Sequence, residues 1–329
     1  MKHSSSPQTY GLIGYPVKHS FSKAMHNAAF ERLGINARYE LFEVKPEKLE
    51  DFLLKDIEVK DITGKPYRTS DILGFNITIP HKVRAREIIE KNFSKNLAPI
   101  DVGSHVRISG AVNTVKKMGD GVGYINTDAK GFLSALKEDL GLEPKDIKDK
   151  NMLIFGCGGA GRSVVDSFVD DDGTVRAVVA GLAGRGGLGK IYIYEPNKAA
   201  IDSAKEQFFK FSYLGEQVKF ISENEIKDVI GKCGLLVNAS PVGMKKGDAS
   251  SIDKKLLHKN LSVYDIVYNR QTQLIKDAKA AGLNAAGGLK MLLYQGVWAF
   301  RFWTGEKEPP VDVMLEALNK EMESKCRKS

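Results

Sequence analysis

The sequence predicts an α/β protein with two lobes, an N-terminal α/β lobe and a second lobe of Rossmann type. Its 329 residues are enough for about two domains, each with its own core. Strand-like and helix-like segments alternate almost throughout, which is typical of parallel sheets. The glycine-rich stretch at 156–161 directly follows an apolar strand and precedes a plausible helix, which is the arrangement of a Rossmann βα turn.

The first half of the chain alternates between residue patterns of period 2 and patterns of helical spacing. The turn Gly119-Asp120-Gly121 between two apolar runs predicts a hairpin. The predicted strands are 9–15, 39–44, 72–79, 109–117 and 121–127, and the predicted helices are 22–33, 46–54, one from 82 and 128–141.

A stretch rich in Pro, Lys and Asp, 142–151, separates the halves. One region fits the alternation poorly, because 28 residues lie between Gly161 and Lys190 where one helix and a short turn would suffice. We therefore expect an insertion near 166–176 that lengthens or splits the helix. The later predicted segments are 151–156, 190–195, 197–209, 218–222, 223–232, 235–240, 262–268, 272–282, 289–305 and 311–325.

Composition and charge argue against several classes of function. The net charge is +8, but Lys and Arg are scattered, and no zinc-finger or RNA-binding motif is present, so we expect no nucleic-acid partner. The charge serves solubility or a mild attraction of anionic small molecules. Three cysteines, Cys157, Cys233 and Cys326, fit neither a metal site nor a disulfide framework.

The N-terminal sequence MKHSSSPQTYG has no apolar core of a signal peptide, and no apolar run approaches the ~20 residues of a membrane span. These features predict a cytoplasmic protein without a membrane partner, and they leave its oligomeric state, monomer or homodimer, open.

The sequence Gly156-Cys157-Gly158-Gly159-Ala160-Gly161 fits the pattern G-x-G-x-x-G. Such glycines let the backbone approach a pyrophosphate, and the helix N-terminus that follows offers unpaired N–H groups. The alternative is an ordinary tight strand-to-helix turn. The flanking strand and helix favour nucleotide binding.

The next strand ends at Glu195, where a dinucleotide-binding domain places the residue that meets the adenosine ribose. A carboxylate accepts hydrogen bonds from both ribose hydroxyls and repels a 2′-phosphate, so we expect NAD rather than NADP. Lys198 nearby softens that repulsion, and the alternative for Glu195 is a solvated turn residue.

The stretch GFNITIPHK, 74–82, ends with a lysine at the start of a predicted helix. The helix dipole disfavours a cation at that end, and so favours the free amine that a general base needs. The bland alternative is a surface lysine that lies there by chance.

Eight short motifs occur in an order that is similar to one known family. They are GYPVKHSFSKAMHN (14–27), NITIPHK (76–82), GAVNT (110–114), NTD (126–128), GCGGAGR (156–162), NASPVGM (238–244), DIVYN (265–269) and GGLKMLLYQG (287–296). On these motifs the chain resembles the shikimate and quinate dehydrogenase family across nearly its whole length.

The resemblance implies an NAD(P)-dependent oxidoreductase of the shikimate pathway of aromatic amino acid biosynthesis. It would interconvert shikimate and 3-dehydroshikimate, and quinate and 3-dehydroquinate as a further pair. It also implies a substrate-binding catalytic domain at 1–128, rejoined by helices at 288–329, and a Rossmann NAD(P)-binding domain at 129–287.

The resemblance also implies a role for individual residues. Lys82 and Asp128 would form the catalytic acid–base pair. The substrate-binding residues would be Ser20, Ser22, Asn76, Thr78, Asn113, Tyr268 and Gln295. The cofactor-binding residues would be Gly156, Gly158, Gly159, Ala160, Gly161, Glu195, Asn238, Ser240, Val242 and Gly288.

Some of these residues have structural alternatives. Ser22 and Asp128 each stand where a residue could simply cap the following helix. Lys290, Ala129 and Arg270 depart from the family pattern, and Lys290 would either contact a ligand or be solvated.

Two alternative functions share this scaffold. One is a non-catalytic protein that senses shikimate or quinate, and the other is an amino-shikimate dehydrogenase. The presence of both Lys82 and Asp128 favours catalysis over sensing.

Overall fold

The structure is a computed structural model, and it describes residues 6–93, 104–143, 146, 150–169 and 189–328. Of the predicted insertion near 166–176, residues 170–176 lie outside the described residues. The chain forms two compact units. The first comprises Met1–Val106, Ala111–Thr127 and Gln295–Ser329, and the second comprises Arg107–Gly110 and Asp128–Tyr294.

The units change over at 127/128 and 294/295, close to the predicted domain boundaries at 128/129 and 287/288. That the two units are separate domains in the functional sense stays a prediction.

Strands and helices of the first unit follow the predicted order closely. Its strands are β1 (Gln8–Gly14), β2 (Ala37–Glu43), β3 (Glu58–Lys60), β4 (Pro66–Arg68), β5 (Ile72–Ile77), β6 (Thr114–Met118) and β7 (Gly121–Ile125). Its helices up to this point are α1 (Ser22–Arg32), α2 (Leu49–Leu54) and α3 (Lys82–Phe93), and α4 (Ser104–Ser109) runs on to the second unit.

The remaining elements include every predicted strand and helix, together with two short ones that were not predicted, a helix at 212–217 and a strand at 285–287. The helices are α5 (Asp128–Leu140), α6 (Gly159–Asp166), α7 (Lys198–Phe208), α8 (Ser212–Gln217), α9 (Ile226–Ile230), α10 (Gln273–Ala280), α11 (Leu289–Thr304) and α12 (Val311–Lys328). The strands are β8 (Asn151–Phe155), β9 (Ile191–Tyr194), β10 (Val218–Ile221), β11 (Cys233–Asn238), β12 (Ser262–Asp265) and β13 (Ala285–Gly287).

The first unit is built on a mixed sheet of order β2-β1-β5-β6-β7. Strands β1, β2 and β5 are parallel, whereas β6 pairs antiparallel with both β5 and β7. The sheet is mixed because the predicted hairpin joins β6 to β7 without a crossover helix. The predicted turn is present, and Gly119 adopts φ +59°, a left-handed conformation that glycine takes readily.

The second unit is built on a fully parallel sheet of order β10-β9-β8-β11-β12-β13. This is the doubly wound order. From β8 the chain adds β9 and β10 on one side and then β11, β12 and β13 on the other, so the order of the strands reverses between β8 and β11. Apolar side chains cover both faces of the sheet, with Ile154 and Val237 on one and Leu153 and Leu236 on the other. The Rossmann-type prediction is confirmed, and it places the loops after β8 and β11 at the carboxyl edge where such sheets bind ligands.

Helix α11 carries the chain from the second unit back into the first, and α12 then packs in the first unit. Among the residues described, no helix combines the length and apolar character needed to cross a bilayer.

Candidate active site

Lys82 is the first residue of helix α3, as the sequence predicts. Strand β5 ends at Ile77, and Thr78 continues its pairing by donating its N–H to the Ile13 carbonyl at 2.9 Å. The Lys82 carbonyl accepts from Val112 N at 3.0 Å, which ties the helix start to the loop before β6. The Lys82 residue is half-buried.

His81, beside the lysine, is buried and has a packing role. Its Nε2 lies 2.6 Å from the Val44 carbonyl, and burial lowers the pKa of its imidazole. This contact anchors the turn that precedes α3 to the end of β2, so His81 helps to fix the position of Lys82.

Five buried polar side chains of the first unit form an interlocked group, the amide cluster: Tyr39, Asn76, Asn113, Thr114 and Thr127. Tyr39 donates its hydroxyl to Asn76 Oδ1 at 2.8 Å. Asn76 Nδ2 donates to Thr114 Oγ1 at 2.9 Å and to the Asn113 carbonyl at 3.2 Å. Asn113 Oδ1 accepts from Thr127 N at 2.9 Å, and Asn113 Nδ2 donates to Thr127 Oγ1 at 2.9 Å.

The cluster brings together Asn76 and Asn113, two residues expected to contact substrate hydroxyls. Both N–H groups of the Asn76 amide are already donated to protein acceptors, so a ligand would find only an oxygen lone pair there. A hydroxyl that donates a hydrogen bond therefore suits Asn76, and one that must accept does not.

Ser20 and Ser22 lie in a tight segment that leads into the first residue of α1, residues 17–22, here called the serine turn. Ser20 Oγ lies 3.2 Å from Ser22 Oγ and accepts from Ser22 N at 3.2 Å. Ser20 N donates to the Val17 carbonyl at 2.9 Å. The expectation that Ser22 caps a helix from residue 23 is wrong, because α1 begins at Ser22 itself and its N-cap position is Phe21. The two hydroxyls are thus adjacent and free of a capping role.

The glycine-rich loop joins β8 to α6 in the second unit. Gly156 has φ +95°, and the helix begins at Gly159 with Gly158 at its N-cap. Gly158 is exposed, and a Cβ built on it meets no atom within 4 Å. A Cβ on Gly161 would lie 2.2 Å from the Gly156 carbonyl oxygen. The loop therefore offers an open surface at Gly158 and a close helix packing at Gly161 that only glycine allows.

Arg162 and Cys157 stabilise this loop from within. The buried guanidinium of Arg162 donates to the Cys157 carbonyl at 3.0 Å and to Ser203 Oγ at 3.0 Å. Burial, reinforced by the nearby Glu195 carboxylate, raises the pKa of the Cys157 thiol to about 12, so this cysteine is not a nucleophile at neutral pH.

Glu195 follows strand β9 and reaches back to the glycine-rich loop. Its Oε2 accepts from Cys157 N at 3.1 Å and its Oε1 accepts from Asn197 N at 3.0 Å. Both carboxylate oxygens thus hold backbone N–H groups. Lys198 is exposed at the first position of helix α7, one residue beyond that turn.

The loop after β11 contains the other expected cofactor residues, Asn238, Ser240 and Val242. Asn238 is fully buried, and its Oδ1 accepts from Ser240 N at 3.2 Å and from Ser240 Oγ at 2.6 Å. Its Nδ2 donates to the Val242 carbonyl at 3.0 Å and to Asp265 Oδ1 at 2.9 Å. Asn238 therefore holds the shape of the loop, while the Val242 side chain at its tip is 41% exposed.

Asp265, at the end of β12, anchors this network. It is fully buried, and its carboxylate accepts from Asn238, from Val267 N at 3.0 Å and from Thr272 Oγ1 at 2.6 Å. Burial raises the pKa of Asp265 to about 6, and the three hydrogen bonds only partly offset that rise.

We expect the stability of Asp265→Asn, relative to the natural protein, to be higher at neutral pH than in mild acid. The folded state holds a proton on Asp265 that the unfolded state releases between pH 3.8 and about 6, so the stability this group contributes is lost as pH rises through about 6. An asparagine can keep the contacts to Val267 and Thr272 without that penalty. Urea unfolding at pH 4.5 and 7.5 should show the variant gaining about 2 kcal/mol over the natural protein between the two pH values.

The control for this change is Asp277→Asn, which removes one carboxylate from the partly exposed face of α10, where Asp277 accepts only from Gln273 in a helical i, i+4 pair. A pH profile of Asp265→Asn that runs parallel to the natural protein would show that burial does not penalise this carboxylate.

The remaining expected residues lie apart along the chain. Asp128 is the first residue of α5 and is buried, so it belongs to the helix and does not stand before it as an N-cap. Tyr268 is half-buried after β12, and Gln295 is buried in α11. A Cβ on Gly288 would lie 2.1 Å from the Ile266 carbonyl oxygen, so that glycine is required by a close backbone approach.

Lys290 is partly buried and forms ion pairs. Its ammonium pairs with Glu138 at 2.8 Å and Asp139 at 3.0 Å, at the C-terminal end of α5. Tyr294 also donates to Glu138. The lysine that departs from the family pattern therefore fixes the start of α11 to α5.

Matches to known protein families cover both ends of the chain. Residues 12–115 match the shikimate dehydrogenase substrate binding domain, and residues 288–318 match the shikimate 5′-dehydrogenase C-terminal domain. A shikimate dehydrogenase (NADP(+)) of Methanobrevibacter smithii is 37% identical over 327 residues, covering 97% of this chain and 99% of the relative. The chain belongs to the shikimate dehydrogenase family. Its relatives in that family are oxidoreductases that act on a CH–OH group.

Solved structures of the family share the fold. A shikimate dehydrogenase in complex with NADP+ has a TM-score of 0.73 and 31% identity, with 96% of each chain covered. The quinate dehydrogenase of Corynebacterium glutamicum, in complex with NAD, has a TM-score of 0.72 and 25% identity, covering 96% of this chain and 100% of the other. The two-lobed α/β prediction is confirmed by these structures.

The prediction of NAD as cofactor is wrong. The M. smithii relative is named for NADP(+), and the 31% identical structure contains NADP+. The inference depended on a free Glu195 carboxylate at the ribose, whereas both of its oxygens accept from backbone N–H groups. Its role in holding the glycine-rich loop explains the acidic residue without any preference for NAD.

Sequence reasoning missed the residues that support the expected contacts, namely Tyr39, Thr114, Thr127, Asp265 and Thr272. Thr114, Thr127 and Asp265 stand inside quoted motifs, so their position there was the available signal. Tyr39 and Thr272 lie outside any motif, and only the fold brings them to Asn76 and Asp265. In the described part of the chain no group of three or more His, Cys, Asp or Glu is arranged to bind a metal ion.

Proposed function

We propose that this protein is an NADP-dependent shikimate dehydrogenase that interconverts shikimate and 3-dehydroshikimate, with Lys82 and Asp128 as the acid–base pair. The observation that carries the proposal is Lys82 as the first residue of α3, in a chain that aligns with shikimate dehydrogenases over almost all of both sequences. Membership of a family does not by itself fix the reaction that a protein catalyses. Here a lysine that can accept a proton lies at the position that the motif predicts.

Oxidation of a secondary alcohol requires that a proton leave the oxygen as a hydride leaves the carbon. Lys82, the first residue of α3, would accept that proton. Asp128 would accept a hydrogen bond from the resulting ammonium and from another ring hydroxyl. In the reverse direction Lys82 returns the proton to the ketone oxygen.

The substrate carboxylate would be held by the adjacent hydroxyls of Ser20 and Ser22, with help from Tyr268. Those hydroxyls lie 3.2 Å apart, a spacing that lets them donate to the two oxygens of one carboxylate. Asn76 Oδ1 would accept from a ring hydroxyl. Thr78, Asn113 and Gln295 would complete the contacts to the ring.

The glycine-rich loop fits a dinucleotide. The open surface above Gly158 leaves room for a pyrophosphate, and the N-terminus of α6 supplies N–H donors from Gly159 and Ala160. The nicotinamide of NADP+ supplies the hydride acceptor of the reaction. Ser240 and Val242, held by Asn238, would border it.

A 2′-phosphate suits the turn after β9. Lys198 is exposed at the first position of α7, an eleven-residue helix whose positive dipole end favours an anion. The nearby Glu195 carboxylate is already bonded to two backbone N–H groups, which partly neutralises its field. Lys198 is therefore the residue to which we assign the phosphate contact.

The test is a spectrophotometric assay of the purified protein with shikimate and NADP+, following the absorbance of the reduced cofactor at 340 nm. We expect turnover with NADP+ and a higher kcat/KM for NADP+ than for NAD+. Turnover with neither shikimate nor quinate, under either cofactor, would reject the proposal.

Quinate is the second substrate that we propose to test, because the C. glutamicum structure of similar fold is a quinate dehydrogenase. The two acids compared at equal concentration in the same assay give the preference directly. Tight binding of shikimate by calorimetry without any turnover would instead support the sensing function.

A further inference from the structure

A lysine of the C-terminal helix contacts the serine turn from outside it. Lys325, near the end of α12, donates from Nζ to the His19 carbonyl at 2.8 Å. The same ammonium lies 4.3 Å from the centre of the Phe21 ring, within the range of a cation–π contact. Phe21 is fully buried at the N-cap position of α1.

These two contacts bracket Ser20. His19 precedes it and Phe21 follows it, so one ammonium fixes the residues on both sides of the first serine and directly before the second. The whole arrangement lies within the first unit, because the turn, α1 and α12 all belong to it.

The serine turn is otherwise held at its beginning. Val17 N donates to Glu43 Oε1 at 3.3 Å, and Lys18 pairs with the same carboxylate at 3.7 Å. Toward its end, Ser22 N donates only to Ser20 Oγ, which is part of the same turn. The contact to α12 therefore holds the turn from outside at the two residues that flank Ser20.

We propose that Lys325 is a positioning residue for the substrate carboxylate, acting through the serine turn. The inference rests on the proposed function, because it takes the two serines as the carboxylate site. Lys325 fixes the backbone at residues 19 and 21, which keeps the Ser20 and Ser22 hydroxyls adjacent, and its positive charge favours an anion at that turn.

The surroundings of Lys325 agree with a functional lysine. Its side chain is 31% exposed, against 73% for Lys320, which faces solvent on the same helix and pairs with Glu316. Partial burial lowers the pKa of Lys325, and Glu321, 3.8 Å away, acts in the opposite direction. The ammonium is thus placed against protein and is not a free surface charge.

The experiment compares Lys325→Met with Lys320→Met in steady-state assays with shikimate and NADP+. Methionine keeps most of the apolar stem and removes the ammonium in both variants. For Lys325→Met we expect the KM for shikimate to rise about five- to tenfold, while kcat and the KM for NADP+ change less than about twofold. Lys320→Met should match the natural protein in all three constants.

Lys325→Arg is the rescue variant. Its guanidinium can donate to the His19 carbonyl and lie over the Phe21 ring, so the KM for shikimate should return to within about twofold of the natural value. A purely structural loss in Lys325→Met would lower kcat and raise both KM values together, and that pattern would overturn the inference.

The outcomes separate this inference from the proposed function. Without turnover by the natural protein, the proposed function itself fails. With normal turnover and an unchanged KM for shikimate in Lys325→Met, the proposed function stands and the positioning role of Lys325 is refuted.

Discussion

Lys82→Ala is expected to lower kcat by about 10²- to 10⁴-fold while the dissociation constant for shikimate changes little. This is the range that a positioned general acid–base group contributes. Removing the amine eliminates the proton acceptor, whereas the serine turn and the amide cluster, which would hold the substrate, are built from other residues. Steady-state assays give kcat, and calorimetry with shikimate gives the dissociation constant.

The matched control is Lys91→Ala, at the exposed far end of the same helix. It removes the same side chain and charge, but there the dipole favours a cation, so only a small loss of stability is expected. If Lys82→Ala instead weakened shikimate binding and left kcat near the natural value, Lys82 would be a binding residue and the proton acceptor would have to be sought elsewhere.

The parts of the fold that depend on local pattern could be predicted from the sequence. Lys82 begins a helix as expected, two residues after Pro80, and Gly119 forms the hairpin turn because its φ of +59° suits glycine. The Rossmann-type lobe was predicted from a glycine-rich turn between a strand and a helix, and the parallel sheet of the second unit agrees with it.

The contacts between distant segments could not be predicted. Tyr39 reaches Asn76 across 37 residues, Lys290 pairs with Glu138 at a helix end, and Lys325 bonds to His19 across 306 residues. A residue pattern shows which face a side chain occupies, but it does not show which partner another element presents to it.

The prediction of the cofactor from Glu195 had the same limit. The sequence correctly identified it as the residue after the second Rossmann strand, but the prediction then assumed that its carboxylate was free. Two backbone N–H groups, one of them from Cys157 at a separation of 38 residues, donate to its oxygens, so this acid also holds the glycine-rich loop. The motif gave the position of the acid, and the fold decided what the acid does.

Gly161→Ala should destabilise the second unit strongly. A Cβ there lies 2.2 Å from the Gly156 carbonyl oxygen and 3.0 Å from its carbon, and both are backbone atoms that cannot rotate away. Relieving that overlap requires α6 to move from the loop, at a cost of about 3 kcal/mol. Urea or thermal unfolding followed by circular dichroism measures the loss.

Gly158→Ala is the complementary variant, because the two glycines of one loop serve different purposes. Its φ of −66° and ψ of −174° are allowed for alanine, and the added methyl meets no protein atom within 4 Å. Stability should therefore change by less than about 0.5 kcal/mol. The methyl instead occupies the open surface that we assign to the pyrophosphate, so the KM for NADP+ should rise about tenfold or more while the KM for shikimate stays near the natural value. Equal cofactor affinity in Gly158→Ala would place the pyrophosphate away from this loop, even if Gly161→Ala unfolds as expected.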